Sequence, residues 1–220
     1  RALYALAQVS ITQQIPKRIR YQARSFFEQS FRKNIAFSSP RAIAFYIKAL
    51  HCLLSKWKDP KTLATLRYHC EQLIALYEKS HSPDWEWFEH YLTYANAVLP
   101  EALLLGYKIT GERRYLEVSD KTLDFLIKHT FKNSMYIPIG QSGWFPKGGT
   151  RQYFDQQPED AAATVEALTI MFQVTNRKPY KELAYTAFNW FLGDNFLEQV
   201  VYDRTTGGCY DGVGEKFINL

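Results

Sequence analysis

The sequence predicts an all-α fold built from two layers of helices. Three observations support this. Apolar residues recur at helical spacing along most of the 220 residues, chain breakers fall between these stretches, and one two-helix unit recurs with a period of 65. Eight helical stretches follow, at 2–14, 18–34, 39–57, 60–80, 86–109, 112–131, 159–175 and 178–194.

The first is marked by Ala2, Leu3, Leu6 and Ala7 and ends before Pro16. The second is amphipathic, with Lys17, Arg18, Arg20, Arg24, Arg32 and Lys33 along it. Ser38-Ser39-Pro40 and Asp59-Pro60 open the third and fourth, and Pro60 fits a first helical turn because its missing N–H is harmless there. Ser82-Pro83 precedes the fifth stretch, which is apolar almost all round and so belongs inside the fold. Pro100 should kink that helix, and offsets of four and three place Glu89, Thr93 and Asn96 on one of its faces. Thr110-Gly111 separates it from the sixth helix, which turns Tyr115, Val118, Thr122, Phe125 and Leu126 inward and Glu117, Asp120, Lys121, Asp124 and Lys128 outward. The seventh and eighth repeat this unit across Thr175-Asn176.

The repeat aligns Glu101 with Glu166, Tyr107 with Phe172, Thr110 with Thr175, Tyr115 with Tyr180 and Phe125 with Trp190. An apolar helix followed by a one-sided helix, repeated, implies an inner layer wrapped by an outer one, as in an α/α toroid or a two-layer solenoid. Residues 1–220 are expected to form a single domain, with short β-hairpins confined to loops.

Charge divides the chain. Residues 1–80 carry 14 Lys/Arg against 4 Asp/Glu, a balance of +10, whereas residues 81–220 carry 13 against 18, a balance of −5. The basic part reads as a solvated face or a docking face for a neighbouring domain, not as a nucleic-acid surface. No apolar run reaches the length of a membrane span. Cys52, Cys70 and Cys209 lack zinc-ligand spacing and suit a reducing compartment, so a cytoplasmic location is expected, with no metal and no cofactor. The chain opens at Arg1 inside a helical pattern and stops at Leu220 where a further inner helix should begin, so either the natural termini lie beyond these residues or the ring is incomplete.

Two long connections, 134–158 and the segment after Gly193, hold eight of the 11 glycines. Both join an outer helix to the next inner one, as does the segment around Asp84–Trp87, so all three should gather at one end of a toroid. That end would present Trp85, Trp87 and Trp144 as stacking surfaces and Asn96, Arg151, Gln156 and Gln157 as hydroxyl partners. Its carboxylates would be Glu89, Asp155, Glu159 and Asp160. Sugar rings stack their C–H faces on aromatic side chains, and glycosidic-bond hydrolysis needs two carboxyl groups, one protonated and one ionised. The same residues also fit a structural reading: the tryptophans as core, and Glu159 and Asp160 as acids favoured at a helix N-terminus. Asp203-Arg-Thr-Thr-Gly-Gly reads as a hairpin turn. His51, His69, His81, His90 and His129 are scattered and form no ligand set.

The segments W-E-W-F-E-H-Y-L-T-Y-A-N-A-V-L-P-E-A-L, G-W-F-P-K-G-G-T-R-Q-Y-F-D-Q-Q-P-E-D-A-A-A-T-V-E-A and Y-D-R-T-T-G-G-C-Y-D-G-V resemble a bacterial family of the six-hairpin glycosidase type. Its members are often encoded with, or fused behind, glycosyltransferases. The resemblance covers about residues 84–214 and implies an (α/α) toroid and a carbohydrate ligand. Epimerase relatives use histidines in the central cavity, which the sequence does not locate here. The function expected is a glycoside hydrolase acting through a carboxylate pair. The alternatives are a non-catalytic glycan-binding or scaffolding domain that serves a glycosyltransferase, and a purely structural helical-repeat module.

Overall fold

A computed structural model describes residues 1–32 and 37–219 of the chain. The last residues of the expected second helix, Lys33 among them, lie outside the described residues. Eight α-helices are described: α1 (Ala2–Ile11), α2 (Lys17–Arg32), α3 (Pro40–Leu54), α4 (Pro60–Ser80), α5 (Val98–Thr110), α6 (Arg113–Thr130), α7 (Pro158–Thr175) and α8 (Lys178–Asn189). A 3-10 turn at Trp190–Leu192 extends α8. The helices form four hairpins. Helices α1, α3, α5 and α7 pack side by side as an inner layer, and α2, α4, α6 and α8 each pack outside their own hairpin partner. The expected two-layer toroidal arrangement is therefore present.

The repeat is visible at the level of atoms. The hydroxyls of Thr110 and Thr175 donate to the carbonyls of Gly106 and Met171 and accept from the amides of Glu112 and Arg177. Both turns then pass through a left-handed residue, Gly111 at φ 71° and Asn176 at φ 56°, the two residue types that tolerate it best. In the outer layer each second helix reaches back to the one before. Tyr115 donates to Glu71 of α4 at 2.8 Å, and Tyr180 donates to Asp120 and Asp124 of α6 at 2.8 and 3.0 Å. The inward set assigned to α6 is buried throughout. On the far flank of α7 and α8, Tyr185 and Phe188 are exposed.

One element departs from expectation. Residues 86–97 are not helical, and α5 begins only at Val98. Pro100 therefore sits in the first turn, where it needs no N–H and produces no kink. Upstream, Ser82 and Trp85 pair in a tight turn, Tyr91–Leu92 forms a short strand β1, and Asn96 closes a loop by accepting from the Thr93 amide and donating to the Thr93 carbonyl. Glu89, Thr93 and Asn96 thus do not share a helix face. The local sequence W-E-W-F-E-H-Y-L-T-Y is rich in aromatic residues that favour extended backbone, and that preference prevails over the apolar run.

Candidate functional site

The three connections from outer to inner helices do gather at one end, and backbone hydrogen bonds tie them together. Strand β1 pairs antiparallel with a second short strand, β2 (Phe145–Pro146), joining the first connection to the second. The Lys147 amide adds a bond to the His90 carbonyl. Gln156 of the second connection bridges to Val213 of the third, and Phe154 packs edge-on against Phe196 at 4.9 Å. Gly140 is required within this assembly: a Cβ there would lie 2.3 Å from the backbone of Phe154. The Asp203 segment is the expected turn, with Asp203 capping it through Thr205 and Thr206.

This end also carries the N-termini of the inner helices. Arg1 before α1 meets Glu159 at the start of α7. Arg41, in the first turn of α3, sends its fork to three acceptors: Glu89 at 2.6 Å, the Tyr94 carbonyl at 2.6 Å and Asn96 Oδ1 at 3.2 Å. The guanidinium also lies 5.0 Å over the Tyr94 ring. Asp160, in the first turn of α7, is buried, and desolvation pushes its carboxyl up to about 7 against the opposing pull of the Ala95 and Asn96 amides and the Arg41 charge. Gln141 approaches Asp160 Oδ2 at 3.5 Å through its amide nitrogen, accepts from Trp144 Nε1 at 3.0 Å, and bonds the Asp155 carbonyl through its backbone N–H. An exposed indole is therefore two hydrogen bonds from a carboxyl that titrates near neutrality. Trp144 is 40% exposed and stacks on Tyr91 at 6.1 Å.

Several expected site residues are locked inside the protein instead. Trp87 is 0% exposed, between Phe88 and Phe125, and Trp85 is buried against Phe125 and Phe145 with its indole N–H on the Glu89 carbonyl. Neither offers a face to a sugar, which corrects their expected role as platforms. Arg151 spends its guanidinium on the carbonyls of His129, Ile137 and Pro138. Gln156 is buried, donating to the Tyr153 carbonyl and accepting from Trp190 Nε1. Asn96 is used in its own turn and by Arg41. These three groups stabilise the loops. Gln157 is half-buried at the N-cap of α7, Asp155 is half-buried just before it, and Glu89 and Glu159 are held by arginines.

Sequence reasoning missed Arg41, Gln141 and an open hollow along the inner layer. That hollow, about 420 Å³, is lined by all four inner helices and includes Tyr4, Lys48, His51, Glu101 and Glu166. The repeat, which aligns Glu101 with Glu166, was the one signal pointing to it. His51, read in the sequence as one of five scattered histidines, lines this hollow. Burial and the nearby lysines push its ring down to about 4, so it is neutral at pH 7.

No protein-family model matches the chain, and no curated protein matches it. Solved structures do. The chain superposes on a family-76 α-mannanase of Bacteroides thetaiotaomicron with a TM-score of 0.69 at 11% identity, covering 96% of this chain and 63% of that one. A D-mannose isomerase matches with a TM-score of 0.70 at 15% identity, covering 99% and 66%. An unsaturated glucuronyl hydrolase of Streptococcus agalactiae matches with a TM-score of 0.59 at 15% identity, covering 86% and 50%. The chain thus spans about half to two thirds of these proteins. Among the described residues no helix is long and apolar enough to cross a membrane. With its inner and outer helices alternating over four hairpins, the chain shares the (α/α) toroid fold of these structures.

Proposed function

We propose that this is a carbohydrate-active protein of the glycoside hydrolase type, with an oligosaccharide entering at the end where the three loops meet. The supporting observation is the chain Trp144–Gln141–Asp160, which couples an exposed ring to a buried carboxyl at about 7. A group half-protonated at neutral pH can act as general acid on a leaving sugar oxygen. Asp155, whose backbone is held by the same Gln141, supplies the second carboxylate. Glu89, held on Arg41, shapes the wall beside them, and Gln157 takes a hydroxyl at the N-cap of α7. The names of the superposed structures, a mannanase and a mannose isomerase among them, make manno-oligosaccharides the first substrates to try.

The test is hydrolysis of a manno-oligosaccharide series. Asp160→Asn and Asp155→Asn should each lower turnover by about 10²-fold or more, with binding largely kept. Unchanged turnover in both variants would overturn the carboxylate assignment. A non-catalytic glycan-binding domain serving a glycosyltransferase is the second reading. It is favoured by the arginine pairing of Glu89 and Glu159, and it requires calorimetric binding with no turnover by the wild type. Its partner would dock on the basic face of residues 17–33. Three free thiols suit a reducing compartment such as the cytoplasm.

A further inference from the structure

Lys48 of α3 lies between two carboxylates from different helices. Its ammonium is 2.7 and 2.8 Å from the two oxygens of Glu101 on α5 and 2.6 Å from Glu166 Oε2 on α7. Lys48 and Glu101 are each 2% exposed, whereas the Glu166 side chain is 54% exposed. The ammonium donates hydrogen bonds to Glu101 Oε2 and Glu166 Oε2, and Glu166 Oε1 is left to accept from something else. Apolar side chains of the same volume would join α3, α5 and α7 equally well without the desolvation cost of two buried charges. A buried ion cluster that ends in an exposed carboxylate on a cavity wall is instead a way of fixing that carboxylate.

The wall it faces is an open hollow along the inner helices. Its volume of about 420 Å³ falls in the range of small-molecule sites. From α1, Tyr4 accepts a bond from Gln8 at 2.8 Å and keeps its own hydroxyl proton to donate. His51 faces the same space as a neutral ring, and Ile11, Leu105 and Ile170 add apolar surface. Lys48 and Lys108 balance Glu101 and Glu166, so the lining carries little net charge and suits an uncharged ligand rich in hydroxyls.

We propose that this hollow is a subsite for one or two units of a neutral sugar, with Glu166 accepting the ligand's hydroxyls and Lys48 and Glu101 acting as positioning residues for Glu166. The proposal rests on the carbohydrate reading above and extends that site down the inner layer. The titratable groups that share the hollow with Glu101 are Tyr4 on α1, Lys48, His51 and Cys52 on α3, Lys108 on α5 and Glu166 on α7, of which Lys48 and Glu166 act on it directly. Ionisation of Glu101 changes how Lys48 is shared, so ligand affinity depends on pH between 6 and 8.

The experiment is titration calorimetry of the whole chain with D-mannose and mannobiose at pH 6, 7 and 8. It compares wild type with Glu166→Gln, Tyr4→Phe, Glu101→Gln and the loop variant Trp144→Ala. Glu166→Gln should weaken mannobiose by about tenfold or more, as expected for losing a hydrogen bond to a charged group. Tyr4→Phe should weaken it less, and Glu101→Gln should flatten the pH profile without abolishing binding. Wild-type affinity in both Glu166→Gln and Tyr4→Phe, with loss in Trp144→Ala, overturns the hollow subsite and leaves the loop-end site standing. A wild type that binds neither sugar overturns the carbohydrate reading and the subsite together.

Discussion

Arg41 and Lys48 stand two turns apart on α3 and make opposite use of a buried positive charge. At the loop end, Arg41 spreads its planar fork over a carboxylate, a side-chain amide and a backbone carbonyl, all from residues 89–96, so one cation shapes a single loop. Deeper in, Lys48 concentrates its charge on two carboxylates from separate helices, so one cation joins three elements of the inner layer. Arg41 has a loop to order and acceptors of mixed kind. Lys48 has packed helices around it, and its compact ammonium sits as a point charge between two carboxylates. The mouth of the ring is therefore held by geometry and its hollow by charge.

The sharpest way to break this contrast is to remove the deeper cation. Lys48→Met leaves Glu101 buried without a partner and should cost about 3–5 kcal/mol in urea unfolding. Lys48→Met with Glu101→Leu should recover most of that loss, because the remaining acid, Glu166, is half-exposed. Arg41→Ala comes next, at about 2–3 kcal/mol, since water can reach part of what it leaves behind. Arg41→Lys should retain the Glu89 pair but lose the other acceptors, which hydrogen exchange would read as faster exchange over residues 89–96.

A pH series separates the two clusters further. Burial raises Glu101 from 4.5 to about 7 in the folded protein, so folding takes up a proton. Its stabilising contribution is full below the unfolded value of 4.5 and is lost as pH rises through 7. Asp160, also pushed to about 7, acts in the same direction, while His51, lowered to about 4, contributes stability above 6.5 that is lost as pH falls towards 4. Glu101→Gln should therefore remove one component of the decline in unfolding free energy between pH 5 and 8, with a steepest slope approaching about 1.4 kcal/mol per pH unit. The smallest effect belongs to the mouth. Trp144→Ala should change stability by no more than about 0.5 kcal/mol, yet weaken sugar binding, a separation that denaturation and calorimetry would read together.

The hairpins, the breakers and the 65-residue repeat were legible because each is local: a helical period, a proline, a threonine before a left-handed residue. The convergence of the three connections was also legible, since it follows from helix order alone. What stayed hidden depends on distant partners. Nothing within residues 86–97 announces that β1 will pair with Phe145–Pro146 or that Arg41 will draw Glu89 and Asn96 together. Trp87 looked like a platform because its neighbours are acidic, but Phe125, far along the chain, covers it. Gln156 and Arg151 were read as free donors because the sequence does not show that the connection folds back on itself to offer them carbonyls, or that Trp190 reaches Gln156. Lys48 carried no local mark at all, although its two carboxylates were already matched by the repeat.

The back-reaching phenols of Tyr115 and Tyr180 have a consequence for how the molecule comes apart. Each fastens its hairpin only to the preceding one, so cohesion in the outer layer passes link by link, as in a row of clasped units. Such a row opens link by link: cutting the Tyr180 clasp with Tyr180→Phe should speed amide exchange in α8 and α6 more than in α4.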